Sequence, residues 1–240
     1  MFAADQVTKL EEAEAVWSKR DPMSEPESIE WRFRARRFAR VAALIEHHVT
    51  QSGHCRILDL GGKESYWRIA NPLLDALSGR IEVVLLNNEA QPPATRPGFS
   101  DLRGDACDTD LLHGEGFDIV HSNSVIEHVG DEAAMARFAE NVARLGTSYF
   151  VQTPNYWFPL EPHFRVPGFQ WLPAAARIAL LQRFNLGFYQ RAETHAEARE
   201  HVESIRLLDH GMMRRLFPDG EIATEWVFGL PKSIMAIRKG

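Results

Sequence analysis

Hydrophobic positions recur at helical spacing over the first fifty residues and in short strand-like bursts after that. Val7, Leu10, Ala13, Val16 and Trp17 form one helical pattern, broken between Arg20 and Pro26 by two prolines and a serine. A second pattern runs from about Glu27 to Val49, placing Ile29, Phe33, Phe38, Val41, Leu44, Ile45 and Val49 on one broad face. Arg56 to Leu60 then reads as a short buried strand stopped by Gly61-Gly62, and Glu64 to Leu77 as a helix. Ile81 to Leu86 is a second strand, ending at Asn87-Asn88-Glu89, and Pro92, Pro93 and Pro97 argue against a full-length helix after it. A weaker strand spans Phe99 to Arg103 and closes at Gly104-Asp105, and a fourth spans Phe117 to Ser122. Asp131 to Leu145 predicts a helix with Asp131 as N-cap and Gly146 as its stop. Ser148 to Gln152 is a fifth strand, closed by Pro154. Ile222 to Phe228 and Ser233 to Ile237, separated by Gly229-Leu230-Pro231, predict an antiparallel hairpin.

Strands alternating with helices indicate an α/β fold with a parallel sheet covered on both faces. Ligands in such sheets lie beyond the carboxyl ends of the strands, so the residues there carry the chemistry. Those residues are Asp59, Gly61 and Gly62 after the first strand, and Asn87, Asn88 and Glu89 after the second. Asp105 and Ala106 follow the third strand, and Ser122, Asn123 and Ser124 follow the fourth, ahead of Val125-Ile126-Glu127-His128-Val129. The stretch Gly61-Gly62-Lys63-Glu64-Ser65-Tyr66 fails the G-x-G-x-x-G fingerprint of nicotinamide dinucleotides.

Composition narrows the classes further. With 240 residues, 45 % hydrophobic and 25 % charged, the chain supports a sizeable core and is neither a disulfide-stapled miniature nor a disordered tail. The net charge of -6 gives no global attraction to nucleic acid. Arg32, Arg34, Arg36, Arg37 and Arg40 concentrate positive charge on one helix and are read as a solvated face. Cys55 and Cys107 fit neither zinc spacing nor a disulfide framework and are read as reduced, packed thiols. The N-terminal charges leave no signal-peptide h-region, and no apolar run reaches spanning length, so a cytoplasmic protein is expected.

The stretches Ile57-Leu58-Asp59-Leu60-Gly61-Gly62, Gly104-Asp105-Ala106, Phe117-Asp118-Ile119-Val120 and Ser124-Val125-Ile126-Glu127-His128-Val129 together resemble class I S-adenosylmethionine-dependent methyltransferases, of the type 11 or UbiE-like branch. The resemblance covers roughly residues 55 to 154 and the C-terminal strands. It implies a Rossmann-like, seven-stranded, mostly parallel sheet with an antiparallel C-terminal hairpin, and S-adenosyl-L-methionine as cofactor. It implies that Asp59, Gly61 and Gly62 lie beside the amino-acid end of that cofactor and that Asn87, Asn88 and Glu89 hold the ribose. Asp105 would contact the adenine amine, Ala106 would pack beside the ring, and Asn123 and Ser124 would line the methionyl side. Two departures stand out. Lys63 and Ser65 replace the second and third glycines of the usual motif, leaving Lys63 to pair with the cofactor carboxylate. Asn87 stands near the usual acid of strand two.

On this reading residues 1–50 form a helical N-terminal cap and residues 51–240 a methyltransferase domain. Residues 155–210, rich in aromatics and prolines at their start, form a lid insertion over a small-molecule acceptor. Methyl transfer from a sulfonium needs alignment and, for a hydroxyl acceptor, a base. His163 and Glu161 in the insertion and His128 after strand four are the candidates, and no histidine–carboxylate set shows metal-ligand spacing. The expected activity is transfer to oxygen or nitrogen, with sugar- or phosphate-bearing acceptors open. A nicotinamide oxidoreductase and a catalytically silent cofactor-binding protein are the alternatives.

Overall fold

A computed structural model describes residues 28–240; the helical pattern expected between Val7 and Trp17 and the break after it lie outside the described residues. Seven strands form one sheet in the order β3-β2-β1-β4-β5-β7-β6. They are β1 (Cys55–Leu60), β2 (Ile81–Asn87), β3 (Phe99–Arg103), β4 (Phe117–Asn123), β5 (Gly146–Pro154), β6 (Glu221–Val227) and β7 (Leu230–Arg238). The first five run parallel, and β7 enters antiparallel between β5 and β6. The expected Rossmann-like sheet and reversed C-terminal pair are both present. Because the chain adds β2 and β3 on one side of β1 and β4 and β5 on the other, a crevice opens at the carboxyl ends of β1 and β4.

The central strands are buried almost continuously, and their side chains alternate between two faces that divide the core in two. Ile57, Val83, Leu85, Ile119 and Phe150 face the first helix, α1 (Ile29–Ser52), whose Phe38, Val41, Leu44, Ile45 and Val49 are buried against them. Leu58, Leu60, Val84, Val120 and Val151 face α3 (Glu132–Leu145) and α6 (His210–Leu216). The described part of the expected N-terminal cap is therefore one covering layer of the sheet. Ser28 caps α1 by accepting the Trp31 N–H, and Gly53 ends it with a left-handed φ of 83°. Of its arginines, Arg37 does not belong to a solvated face. It is buried and pairs with Glu225 at 2.8 Å, because β6 brings that carboxylate under the helix.

Other differences from the expected elements have local causes. Instead of one helix from Glu64 to Leu77, a 3₁₀ turn covers Glu64–Ala70, and α2 (Asn71–Ala76) restarts with Pro72 in its first turn, where a missing N–H costs nothing. Asp131 caps α3 as expected, but Gly146 at its end is extended (φ -103°, ψ 136°) and runs straight into β5. A side chain there would meet Val120 and the Ser148 carbonyl. The hairpin turns at Phe228-Gly229, both with positive φ, so Pro231 falls inside β7. It sits before the β5 pairing begins at Ser233, where its missing N–H breaks no ladder with that strand.

The 155–210 insertion holds α4 (Ala174–Leu181) and α5 (His195–Glu203). Phe164, Phe169, Ile178, Leu181, Ala198 and Val202 form a small core of its own. Cys55 and Cys107 are buried and free, and burial pushes their thiols up to about 12 and about 11. No helix among the described residues is long and apolar enough to cross a membrane.

Candidate active site

Asp59 sits on the α1 side of β1 and is 1 % exposed. One carboxylate oxygen accepts the Trp67 indole N–H at 2.8 Å, and the other lies 2.6 Å from His121 Nδ1, placed opposite by the β1–β4 register. Gly62 passes directly over this group: a Cβ on it would fall 1.8 Å from an Asp59 oxygen. Its neighbour Gly61 has φ 70°, and its Cβ would lie 2.6 Å from Val125. Only glycine fits either position, and the sharp turn leaves β1 with its backbone facing the crevice. Asp59 thus holds that turn from behind and does not line the cavity in front of it.

That cavity, of about 270 Å³, is walled by Gly61, Asn87, Asn88, Asp105, Ala106 and His128, with Val125 and Val129 closing it from the β4 side. The ends of four neighbouring strands therefore meet in one space. Asn87 braces it by donating from Nδ2 to the Gly62 carbonyl at 2.9 Å. Asp105 accepts the Cys107 N–H with one oxygen at 2.8 Å. Ser124 has the left-handed φ of 57°, rare for a non-glycine residue, and its hydroxyl donates to Gln152 at 3.1 Å. That bend leads into the short 3₁₀ turn Ile126–His128, setting Val125 and Val129 in the wall. Asn123 points elsewhere and accepts from Arg37 at 3.5 Å. Glu89 is exposed and is not part of this cavity wall. Lys63 borders a separate cavity of about 230 Å³ with Gly62, Glu64, Ser65 and Gln91.

A larger cavity, of about 660 Å³, lies between the insertion and the start of α3, where Gly130 and Asp131 face it. Tyr156, Glu161, Phe164, Phe169, Gln170 and Arg177 line much of it. Burial lowers the pKa of Arg177 from its ordinary value, with Tyr156 and Glu161 nearby acting in the opposite sense. Glu161 is 2 % exposed and accepts the backbone N–H groups of His163 and Phe164 at 2.7 and 2.6 Å. Its other oxygen lies 2.8 Å from His163 Nδ1, which fixes the ring. The His163 ring stands perpendicular to that of His128, centroids 4.8 Å apart. His128 belongs to the smaller cavity and Glu161 to the larger, so the chain His128, His163, Glu161 runs from one to the other. The fold thus brings together all three residues nominated for catalysis.

Glu127 joins them from below and was not among the nominated residues. It is fully buried, with Thr153 donating to one oxygen at 3.0 Å and the other without a partner among the described residues. Burial pushes its carboxyl up to about 7, opposed by the nearby His163 and the Thr153 hydrogen bond. Burial and His163 also lower the pKa of His128. Its place beside His128 in Val-Ile-Glu-His-Val was the available signal. Tyr156 belongs to the aromatic start of the insertion, whereas the lining roles of Gln170 and Arg177 have no counterpart in the spacing along the chain.

No family model matches the chain. The chain is similar to two uncharacterized proteins of Mycobacterium tuberculosis, strains CDC 1551 and H37Rv, each 34 % identical over 76 residues. The match takes in 32 % of this chain and a quarter of the length of each relative (25 %). Among solved structures, the N-terminal domain of EvdMO1 with S-adenosylhomocysteine bound aligns with 86 % of this chain and 80 % of its own, at 16 % identity and a TM-score of 0.49. Magnesium protoporphyrin IX methyltransferase of Synechocystis PCC 6803, also with S-adenosylhomocysteine bound, aligns with 85 % and 83 %, at 12 % identity and a TM-score of 0.48. The N-methyltransferase NodS of Bradyrhizobium japonicum aligns with 85 % and 94 %, at 8 % identity and a TM-score of 0.43.

Proposed function

We propose that the chain is an S-adenosylmethionine-dependent methyltransferase acting on oxygen or nitrogen of a small-molecule acceptor. One observation carries the reading: the glycine turn after β1, the polar ends of β2 and β3 and the start of the β4 turn all wall a single cavity at the switch point of the sheet. The residues fit the cofactor. The glycine turn brings bare backbone to the amino-acid end, and Asn87 and Asn88 offer polar groups to the ribose. Asp105 and Ala106, which stand together in the cavity wall, take the adenine. Asp59 serves indirectly, by fixing the turn through Trp67 and His121.

The larger cavity takes the acceptor. Its aromatic walls enclose a small molecule rather than track a nucleic-acid backbone, and desolvated Arg177 favours an acceptor carrying an anionic group. Binding the two reactants in adjoining spaces supplies the in-line alignment that methyl transfer needs. His163, oriented by Glu161, and His128 stand at the junction and ease deprotonation of the attacking group.

Calorimetric titration of the protein with S-adenosylhomocysteine, S-adenosylmethionine and NAD tests the reading. Saturable heat with both sulfur ligands and none with NAD is expected. Heat with NAD alone points to the oxidoreductase, and binding of the sulfur ligands without turnover in an acceptor screen points to the silent binding protein.

A further inference from the structure

We propose that Glu127, His128 and His163 form a binding site for a single divalent transition-metal ion of the zinc type. Donor atoms of the three side chains lie within 4.8 Å of one another. Donors around a shared tetrahedral ion sit about 3–4 Å apart, so small side-chain rotations close the set. Two imidazoles and one carboxylate suit borderline ions such as Zn²⁺ rather than Ca²⁺ or Mg²⁺, which take all-oxygen ligands.

The second and independent observation is how each donor is held. A metal-binding histidine normally gives its other ring nitrogen to a carboxylate or backbone carbonyl. His163 gives Nδ1 to Glu161 at 2.8 Å, leaving Nε2 for the ion. His128 stands edge-on to that ring, with centroids 4.8 Å apart. Thr153 holds one oxygen of Glu127, and the other is fully buried with no partner among the described residues. An orphaned buried carboxylate oxygen is costly unless something occupies the space before it, and a cation held by the two histidines answers that need. Spacing along the chain hides the set, because the insertion carries His163 back from the far end of β5.

Three protein ligands leave the ion an open position. His128 and Glu161 open onto the two cavities, so that position lies between cofactor and acceptor. What the ion does there rests on the methyltransferase reading; that it binds does not. An acceptor hydroxyl coordinated to the ion loses its proton to solvent as the O–H bond breaks. The oxygen lone pair then forms the O–CH₃ bond while the S–CH₃ bond breaks and sulfur keeps its electron pair.

The test uses tag-free, chelator-stripped protein titrated with ZnCl₂ by calorimetry, with Co²⁺ absorption as a coordination signal. One saturable ion per chain is expected. Glu161→Gln, which loosens the His163 ring, weakens it about 10- to 100-fold, and His128→Ala and Glu127→Gln abolish it. His128 lies at the exposed rim, so its variant is expected to fold even where Glu127→Gln does not; circular dichroism checks both. Absence of saturable binding by the parent protein overturns the proposal, as does unchanged affinity in folded His128→Ala. S-adenosylhomocysteine binding is measured on the same samples. Its retention without zinc binding overturns the metal site alone, and zinc binding without it supports the site while overturning the cofactor reading.

Discussion

Replacing Trp67 by phenylalanine tests the claim that Asp59 is a structural anchor of the glycine turn. The indole N–H at 2.8 Å is one of two hydrogen bonds to a carboxyl group that is 1 % exposed, and Trp67 itself is 0 % exposed. Phenylalanine keeps part of the ring, which packs edge-on against Phe38 at 5.8 Å and Phe99 at 6.0 Å, but it removes the donor. A buried acceptor stranded in this way costs about 1–3 kcal/mol. The missing half of the indole adds roughly 1–2 kcal/mol of lost contact and residual cavity. The variant is therefore expected to be about 2–5 kcal/mol less stable, a large share of the roughly 5–15 kcal/mol that holds a domain together. Urea unfolding followed by circular dichroism measures the loss. A double-mutant cycle with Asp59→Ala, which removes the acceptor, separates the hydrogen bond from the packing, and a coupling of about 1 kcal/mol or more is expected between residues in contact. A loss below about 1 kcal/mol, or strictly additive effects, refutes the anchoring role.

Other consequences follow from the site and the core. On the proposed cofactor reading, Asp105→Ala removes a hydrogen bond to the adenine and is expected to weaken S-adenosylhomocysteine binding about tenfold by calorimetry; unchanged affinity contradicts the assignment. On the same reading, His163→Ala is expected to depress methyl transfer while leaving S-adenosylhomocysteine affinity within about twofold, because His163 is not part of the wall proposed to hold the cofactor; unaltered turnover at saturating acceptor removes it from the chemistry. His48, 8 % exposed and 2.8 Å from the Ser148 hydroxyl, has its pKa lowered from 6.5 chiefly by burial. The unfolded chain therefore binds the extra proton between the folded pKa and 6.5, and stability rises with pH across that window. The contribution is present above about 6.5 and is lost as the pH falls below it. Urea midpoints from pH 5 to 8 are expected to lose this slope in His48→Asn; an identical slope in the variant would falsify the assignment.

The strand ends were the most legible part of the chain. A buried apolar run ending in Asp-x-Gly-Gly, Asn-Asn or Gly-Asp-Ala announces both a parallel strand and the polar group that follows it, because both faces of the sheet are covered and only the ends meet solvent. The same logic placed Asn87, Asp105 and Ala106 in one cavity wall. It gives no sign of the partners of Asp59, since pairing across the β1–β4 register and the fold-back of a 3₁₀ turn onto β1 are tertiary events. His121 and Trp67 claim the carboxyl group only once those elements dock. Lys63 illustrates the same limit, since the glycine turn parts the crevice and leaves it beside the second cavity. Glu127 and His163 were separately visible but not as a pair, because a long insertion returns over the sheet and no period along the chain records where it lands.

A crystal grown with S-adenosylhomocysteine tests the central claim most directly. Electron density is expected in the cavity at the ends of β1 to β4, with the adenine against Asp105 and Ala106, the ribose at Asn87 and Asn88, and the sulfur directed towards His128 and the proposed acceptor cavity. Density for the ligand on another surface, or an empty cavity at ligand concentrations that saturate binding in solution, would contradict it.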